Sequence, residues 1–309
     1  MSVNPKIFGH RGACAYRPEN TLEAFKLAYE QGVFAIECDI VPTKDHHLIL
    51  RHENALSGTT DIATHPEFAD RRRAGYLDGL SVHDWFSEDF TLAEIKTLRA
   101  VERLPEWRSG SAKFDGQFEI PTLAELLAAP MLANRAVILE IKHGAYFESL
   151  GIPLLELLRA DLEASNWQDR GIQLIFESFN QDVLTRARAL LGDIGEYVFL
   201  IDRDHLPGKS RYVSDELLIS LVDKFHGLSF DIDLLVGQKP AFSQVDFGSP
   251  NGLVQRAQAH GFKVFTWTAR AEEALYSPEE YFQHFINTGV DGIFADHPDL
   301  LLGYVGGHA

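Results

Sequence analysis

Strand-like and helix-like segments alternate along most of this chain, and that rhythm restricts the possible folds more than any other feature. Lys6–Gly9 reads as a short buried strand. Residues 21–31 follow at helical spacing, with Leu22, Phe25, Leu27 and Ala28 on one face, Asn20 as the expected N-cap and Gly32 as the stop. Residues 33–41 form the next strand. After an interruption the alternation resumes, with helices expected at 122–128, 152–165, 181–191, 215–224, 252–260 and 278–288. Strands are expected at 136–142, 172–176, 196–201, 227–230, 264–267 and 289–295. The helix at 152–165 has Pro153 in its first turn and an apolar face of leucines.

Eight strands, each usually followed by a helix, mean a parallel sheet with right-handed crossovers. Within 309 residues this fits an α/β fold of the closed (β/α)8 TIM-barrel type. An open doubly wound sheet would want a glycine-rich first turn of the dinucleotide-binding kind. Gly9-His10-Arg11-Gly12 lacks that spacing.

The interruption runs from Asn54 to Glu119, after the second strand. It is polar, turn-rich and dense in aromatics: Phe68, Tyr76, Trp85, Phe86, Phe90, Trp107, Phe114 and Phe118. Thr91 with Glu94 three residues later marks a capped short helix inside it. So long an irregular stretch is uncommon and usually functional. Residues 1–309 therefore read as a single barrel domain with an insertion lobe at about 54–119, packed over the mouth of the site. The aromatics are expected to cover that mouth. Arg71-Arg72-Arg73 reads first as a solvated face, with phosphate attraction the lesser alternative.

A formal net charge of -17 argues against nucleic acid and anionic membrane surfaces as partners, since both select for basic patches. An anionic small molecule would have to be gathered by local positive charge. Cys14 and Cys38 are the only cysteines, read as free thiols of a reducing compartment. No apolar run approaches membrane-spanning length, and the first strand starts too near Met1 for a signal peptide, so a cytoplasmic protein is expected.

Chemistry in a parallel barrel collects at the C-terminal ends of the strands. His10, Glu37, Asp39, Glu140, Lys142, Glu177, Ser178, Trp267 and Asp296 all fall there. Glu37 and Asp39 lie two apart and share a strand face, opposite Ile36, Cys38 and Ile40. With Glu140 they form three carboxylates too costly to bury unpaired. Either a hard divalent ion, Mg²⁺ or Ca²⁺ rather than zinc, sits among them, or Arg11 and Lys142 pair with them. Glu19 and Asn20 read as builders of the first turn.

The ordered set of motifs resembles the glycerophosphodiester phosphodiesterase family, in a longer form with an insertion after the second catalytic histidine. Its elements are His10-Arg11-Gly12, Pro18-Glu19-Asn20-Thr21, Glu37-x-Asp39 and His52, then Glu140-Ile141-Lys142, Ser178-Phe179, Trp267-Thr268 and Ala295-Asp296-His297-Pro298. The resemblance covers nearly the whole chain. It implies a metal-dependent hydrolase that converts deacylated phospholipids to sn-glycerol 3-phosphate and an alcohol, with a cyclic phosphate formed by the glycerol 2-hydroxyl. It also implies one divalent cation on Glu37, Asp39 and Glu140, with His10 and His52 as general acid and base. Arg11, Lys142 and Trp267 would bind substrate. The expected partner is thus a small-molecule glycerophosphodiester, with no nucleic acid and no stable membrane association.

Two positions depart from the family pattern. Glu53 stands after His52 where an aspartate is usual, which puts its reach to His52 in doubt. Glu177 precedes Ser178 where an uncharged residue is more common. The alternatives are a phospholipase D of the sphingomyelinase type, which would want an apolar rim and usually a disulfide, and a non-catalytic barrel that binds glycerophosphodiesters.

Overall fold

A computed structural model describes residues 4–77, 80–236, 248–274 and 277–307. Its strands are β1 (Lys6–Gly9), β2 (Ala35–Pro42), β3 (Leu48–Leu50), β4 (Arg73–Leu77), β5 (Leu80–Asp84), β6 (Ala136–Ile141), β7 (Gln173–Ser178), β8 (Glu196–Ile201), β9 (Gly227–Asp231), β10 (Lys263–Ala269) and β11 (Gly292–Ala295). Eight of them pair in parallel in the order β1-β11-β10-β9-β8-β7-β6-β2, and β1 also pairs with β2. The sheet therefore closes on itself as the expected (β/α)8 barrel, and the open doubly wound sheet is excluded. β3 is no barrel strand. It runs antiparallel to β2, with Ile40 opposite Leu50, and turns the chain back toward the C-terminal mouth.

Strand alternation sorts the side chains. Phe8, Ala35, Ala136, Ile138, Ile175, Val198, Phe265 and Phe294 form an apolar plug inside the barrel. Phe8 meets Phe265 and Phe294 edge-on, with ring centroids 5.0 and 4.9 Å apart. Residues of the other parity, such as Ile36, Cys38, Ile40, Leu139 and Phe176, face the helices in a second and larger core. With the bottom of the barrel filled, the next inward positions toward the C-terminal end are His10, Glu37, Asp39, Glu140, Glu177, Trp267 and Asp296.

Several boundaries shift from expectation, because pairing rather than composition ends a strand. The 33–41 strand starts at Ala35, and the 289–295 strand starts at Gly292. The first helix is Leu22–Gln31, and its cap is Thr21 rather than Asn20: the Thr21 hydroxyl accepts from the Ala24 N–H at 3.2 Å. Asn20 instead takes a left-handed φ of 56° and turns its amide toward β2. Gly32 ends this helix at φ 100°, as expected. Pro153 stands at the N-cap of Leu154–Ala164, one position before the first turn. A last helix, Pro298–Gly307, was not legible in the alternation and packs beside β1 and the helix Leu22–Gln31.

Residues 54–119 fold into the β4–β5 hairpin, short helical turns and the predicted capped helix, Leu92–Ile95, with both bonds of its Thr91–Glu94 capping box. Their aromatics go inward rather than over the mouth. Phe68, Trp85 and Phe90 join the large core, Phe86 is fully buried, and the Trp85 indole donates to the Phe68 carbonyl at 2.6 Å. Trp107 alone of those described is broadly exposed, at 70 %; the Tyr76 side chain lies outside the described residues. Arg71 pairs with Glu94 at 2.7 Å, and Arg73 with Glu88 at 3.0 Å and Asp89 at 2.5 Å, so these two arginines tie down the lobe.

Candidate active site

The register of three neighbouring strands sets the acidic cluster. Asp39 on β2 sits opposite Glu140 on β6, and Glu140 sits opposite Glu177 on β7. The chain bends sharply after β1 through Arg11 at φ 54° and Gly12 at φ 86°. A side chain at Gly12 would lie 2.6 Å from the Ala24 carbonyl carbon, so only glycine makes this turn. The turn aims the Arg11 N–H at Glu37 Oε2, 2.8 Å away. Asn20 donates to Asp39 Oδ2 at 2.9 Å and accepts from the Asp39 N–H at 3.3 Å.

Carboxylate oxygens of Glu37, Asp39 and Glu140 lie within 4.8 Å of one another, and all three residues are buried. Glu37 Oε1 has no hydrogen-bond partner. Asp39 Oδ1 and Glu140 Oε1 face Lys142 Nζ at 3.3 and 2.7 Å as ion pairs, and Arg11 Nε is 3.5 Å from Asp39 Oδ2. Of the two arrangements left open by the sequence, the pairing with Arg11 and Lys142 is present, and the same three carboxylates are grouped closely enough that they could hold a metal ion. Burial, with Asp39 and Glu140 nearby, pushes Glu37 well above the usual carboxylate range. Burial also raises Glu140, to about 7, although Lys142 opposes the shift. Burial acts the same way on Asp39, but Lys142, His52 and Arg11 outweigh it and hold that carboxyl low. The three cannot all ionise cheaply without added positive charge, which an oxygen-liganded divalent ion supplies.

Glu177 is 1 % exposed, and its Oε1 has no hydrogen-bond partner. Burial and Glu140 raise its carboxyl well above the usual range. It lies beside the cluster, but its oxygens fall outside the group of three.

Both histidines end up in this cavity, which measures about 250 Å³ and includes Arg11, Glu37, Glu140, Lys142, Glu177, Phe179 and Trp267 among its walls. His10 follows β1 directly. His52 arrives by way of β3, whose end is pinned by the Arg51 N–H donating to the Asp39 carbonyl at 3.0 Å. Each imidazole has a carboxylate on Nδ1: His10 with Asp296 Oδ1 at 2.6 Å, and His52 with Glu53 Oε1 at 2.5 Å. A carboxylate there fixes the tautomer with Nδ1–H donating, which leaves Nε2 for another group. Burial and Arg11 lower His10 to about 4. Burial, Arg11 and Lys142 lower His52 to about 3. Without ligand both rings are neutral near pH 7.

Trp267 ends the inward row on β10 and meets Phe179 edge-on at 5.5 Å, giving the cavity an apolar wall. His10, His52, Arg11, Lys142, Trp267, Glu37, Asp39 and Glu140, the residues given roles from the sequence, thus lie together, while Ser178 turns its hydroxyl to the Ile141 carbonyl. Two partners were missed. Asp296 stood among the strand-end polar residues without a role, although its parity with Phe294 points it inward. Glu53 was doubted for its length, yet the longer side chain reaches His52. Arg103, Arg108 and Arg270 also converge here, and no local pattern marked them.

The profile of the glycerophosphoryl diester phosphodiesterase family matches residues 10–300. Glycerophosphodiester phosphodiesterase GDPD6 of Arabidopsis thaliana is 28% identical, over 98% of this chain and 87% of its own length. A glycerophosphodiester phosphodiesterase of Caldanaerobacter subterraneus is 29% identical, over 97% of each chain. Among solved structures, an Oleispira antarctica phosphodiesterase in complex with the product sn-glycerol-3-phosphate superposes with a TM-score of 0.70. It is 23% identical and covers 98% of this chain and 97% of its own. The Thermotoga maritima glycerophosphodiester phosphodiesterase has a TM-score of 0.59 at 24% identity, over 98% and 99%. At those identities the structural likeness establishes the fold.

Proposed function

This chain belongs to the glycerophosphoryl diester phosphodiesterase family and is a phosphoric diester hydrolase; on that premise we propose that it cleaves glycerophosphodiesters to sn-glycerol 3-phosphate and an alcohol by two-histidine acid–base catalysis. The observation that carries the reading is the pairing of His10 with Asp296 and of His52 with Glu53 in one cavity beside three buried carboxylates.

Glu37, Asp39 and Glu140 would hold one divalent cation, Mg²⁺ or Ca²⁺, which when bound neutralises charge that builds on the phosphoryl oxygens. Arg11 and Lys142 already balance part of the cluster and stand ready to attract a phosphodiester anion. One neutral imidazole takes the proton of the attacking hydroxyl. The other takes up a proton from solvent as the arriving anion raises its basicity and gives it to the departing alcohol oxygen. Where the attacking group is the glycerol 2-hydroxyl, water then opens the cyclic phosphate to sn-glycerol 3-phosphate, with the two rings exchanging roles. The fixed Nδ1 partners keep both Nε2 atoms facing the reacting group. Trp267 and Phe179 would wall the glycerol carbons with an apolar face.

The same proposal takes residues 1–309 as one phosphodiesterase barrel domain and residues 54–119 as its lobe. Its substrate is a small molecule, not nucleic acid. No helix among the described residues is long and apolar enough to cross a membrane, and a cytoplasmic location remains part of the proposal. The test is release of sn-glycerol 3-phosphate from glycerophosphocholine, with and without chelator. Full turnover by chelated enzyme would reject the metal site, and no release under any condition would reject the substrate class.

A further inference from the structure

Two arginines of the lobe are unused by the chemistry above, yet each grips a carboxylate that it depends on. Arg103 donates from Nη1 to Glu53 Oε1 at 2.9 Å and from Nη2 to Glu53 Oε2 at 2.7 Å. It also donates from Nε and Nη2 to Glu19, at 2.7 Å each. Five residues on, Arg108 donates through Nη2 to Asp296 Oδ2 and through Nε to Glu272 Oε1 at 2.7 Å. Glu53 is the carboxylate on His52, and Asp296 is the carboxylate on His10. One short stretch of the lobe therefore holds the partners of both histidines, which come from opposite ends of the chain.

We propose that Arg103 and Arg108 are positioning residues, through which the lobe sets the orientation of His52 and His10. A carboxylate held only by an imidazole can swing about its own side-chain torsions and carry the ring with it. A guanidinium fork on its oxygens fixes its plane, and a single ammonium cannot do the same. Glu53 needs this most, because it has one more rotatable bond than the aspartate usual at its position. Arg103 spans it with two parallel bonds and braces itself on Glu19, which Arg11 holds from the other side at 3.1 Å. Asp296 is fixed from two directions, since Arg270 Nε also donates to Oδ2, at 3.0 Å. On this view the lobe is a working part of the catalytic apparatus as well as a cover over it.

The proposal rests on the function assigned above, so wild-type release of sn-glycerol 3-phosphate from glycerophosphocholine is the first arm of its test. If the wild type is inactive, the functional reading fails before the clamp is tested. With an active wild type, Arg103→Met should lower kcat roughly 10- to 100-fold, the usual effect of losing an outer hydrogen-bonding partner, with KM changed less than about threefold. Arg103→Lys should recover only a minor part. The decisive comparison is a cycle with Glu53→Gln. If Arg103 acts through Glu53, the double variant is no slower than Glu53→Gln alone. Arg108→Met with Asp296→Asn should behave alike. Melting temperatures and the metal-induced thermal shift are read on every variant, and Arg103→Gln or Arg108→Gln replaces the corresponding Met variant if it fails to fold. Multiplicative losses in the double variants, a loss confined to KM, or unchanged kcat would each overturn the proposal.

Discussion

Binding of a divalent ion should be visible as stability, independently of turnover. Four buried carboxyls, those of Glu37, Asp39, Glu140 and Glu177, share this end of the barrel with Arg11 and Lys142 as buried cations. Fully ionised, the group carries an excess of two negative charges, the amount that one Mg²⁺ or Ca²⁺ cancels. At a free ion concentration of 100 times Kd, binding to the native state alone adds about 2.7 kcal/mol. Unfolding entropy near the midpoint is about 2.1 cal/mol/K per residue, or roughly 0.65 kcal/mol/K for a chain of this length. The expected rise in Tm is therefore about 4 °C. Differential scanning calorimetry of chelated protein, repeated with each ion at 100 times its calorimetric Kd, measures it. Glu37→Gln removes the ligand oxygen without a hydrogen-bond partner and should abolish most of the shift. Chelated and ion-saturated protein melting at one temperature would refute the charge argument outright.

Other expectations follow from the same geometry. His10→Ala and His52→Ala should each lower kcat by about 10²–10⁴-fold while the thermal shift persists; near wild-type turnover by either variant would count against a two-histidine mechanism. Because burial raises Glu37, Glu140 and Glu177 in the folded state, these carboxyls make the chelated protein less stable as pH rises from about 4.5 through about 7, while His10 and His52, lowered by burial and neutral when folded, pull the other way below about 6.5. Urea titrations of wild type and Glu177→Gln across that range isolate one carboxyl, and the variant should gain stability relative to wild type as pH rises; parallel profiles would contradict the reasoning. The approach to His10 is a cavity of about 560 Å³ whose walls combine Arg103, Arg108, Arg270 and Glu273 with Trp107 and Leu104, so an entering chain passes a ring of charged side chains. Glycerophosphocholine should therefore be cleaved far faster than phosphatidylcholine in micelles, and equal rates would show that acyl chains are tolerated.

What could be read in advance was whatever depends on parity along a strand. Glu37 and Asp39 share a face because they are two apart, and that holds whichever strands lie alongside. The apolar plug and the inward row above it obey the same rule. Contacts across the closed barrel are different in kind. Asp296 meets His10 only because β11 returns to β1, and nothing near either residue announces the other. Arg103 and Arg108 were invisible for the same reason, since the path of an irregular segment carries no period. The buried aromatics of the lobe were misplaced because a second core beneath an insertion looks, in sequence, like a surface seeking cover.

The hydrogen bond between His10 and Asp296 joins residues 286 positions apart. During synthesis His10 therefore emerges well before the carboxylate it is paired with. A nascent chain halted before β11 would hold every proposed metal ligand and both histidines, yet lack the carboxylate that orients His10. On the proposed mechanism, turnover would be a direct reporter of barrel closure, gained as the sheet loses its edges.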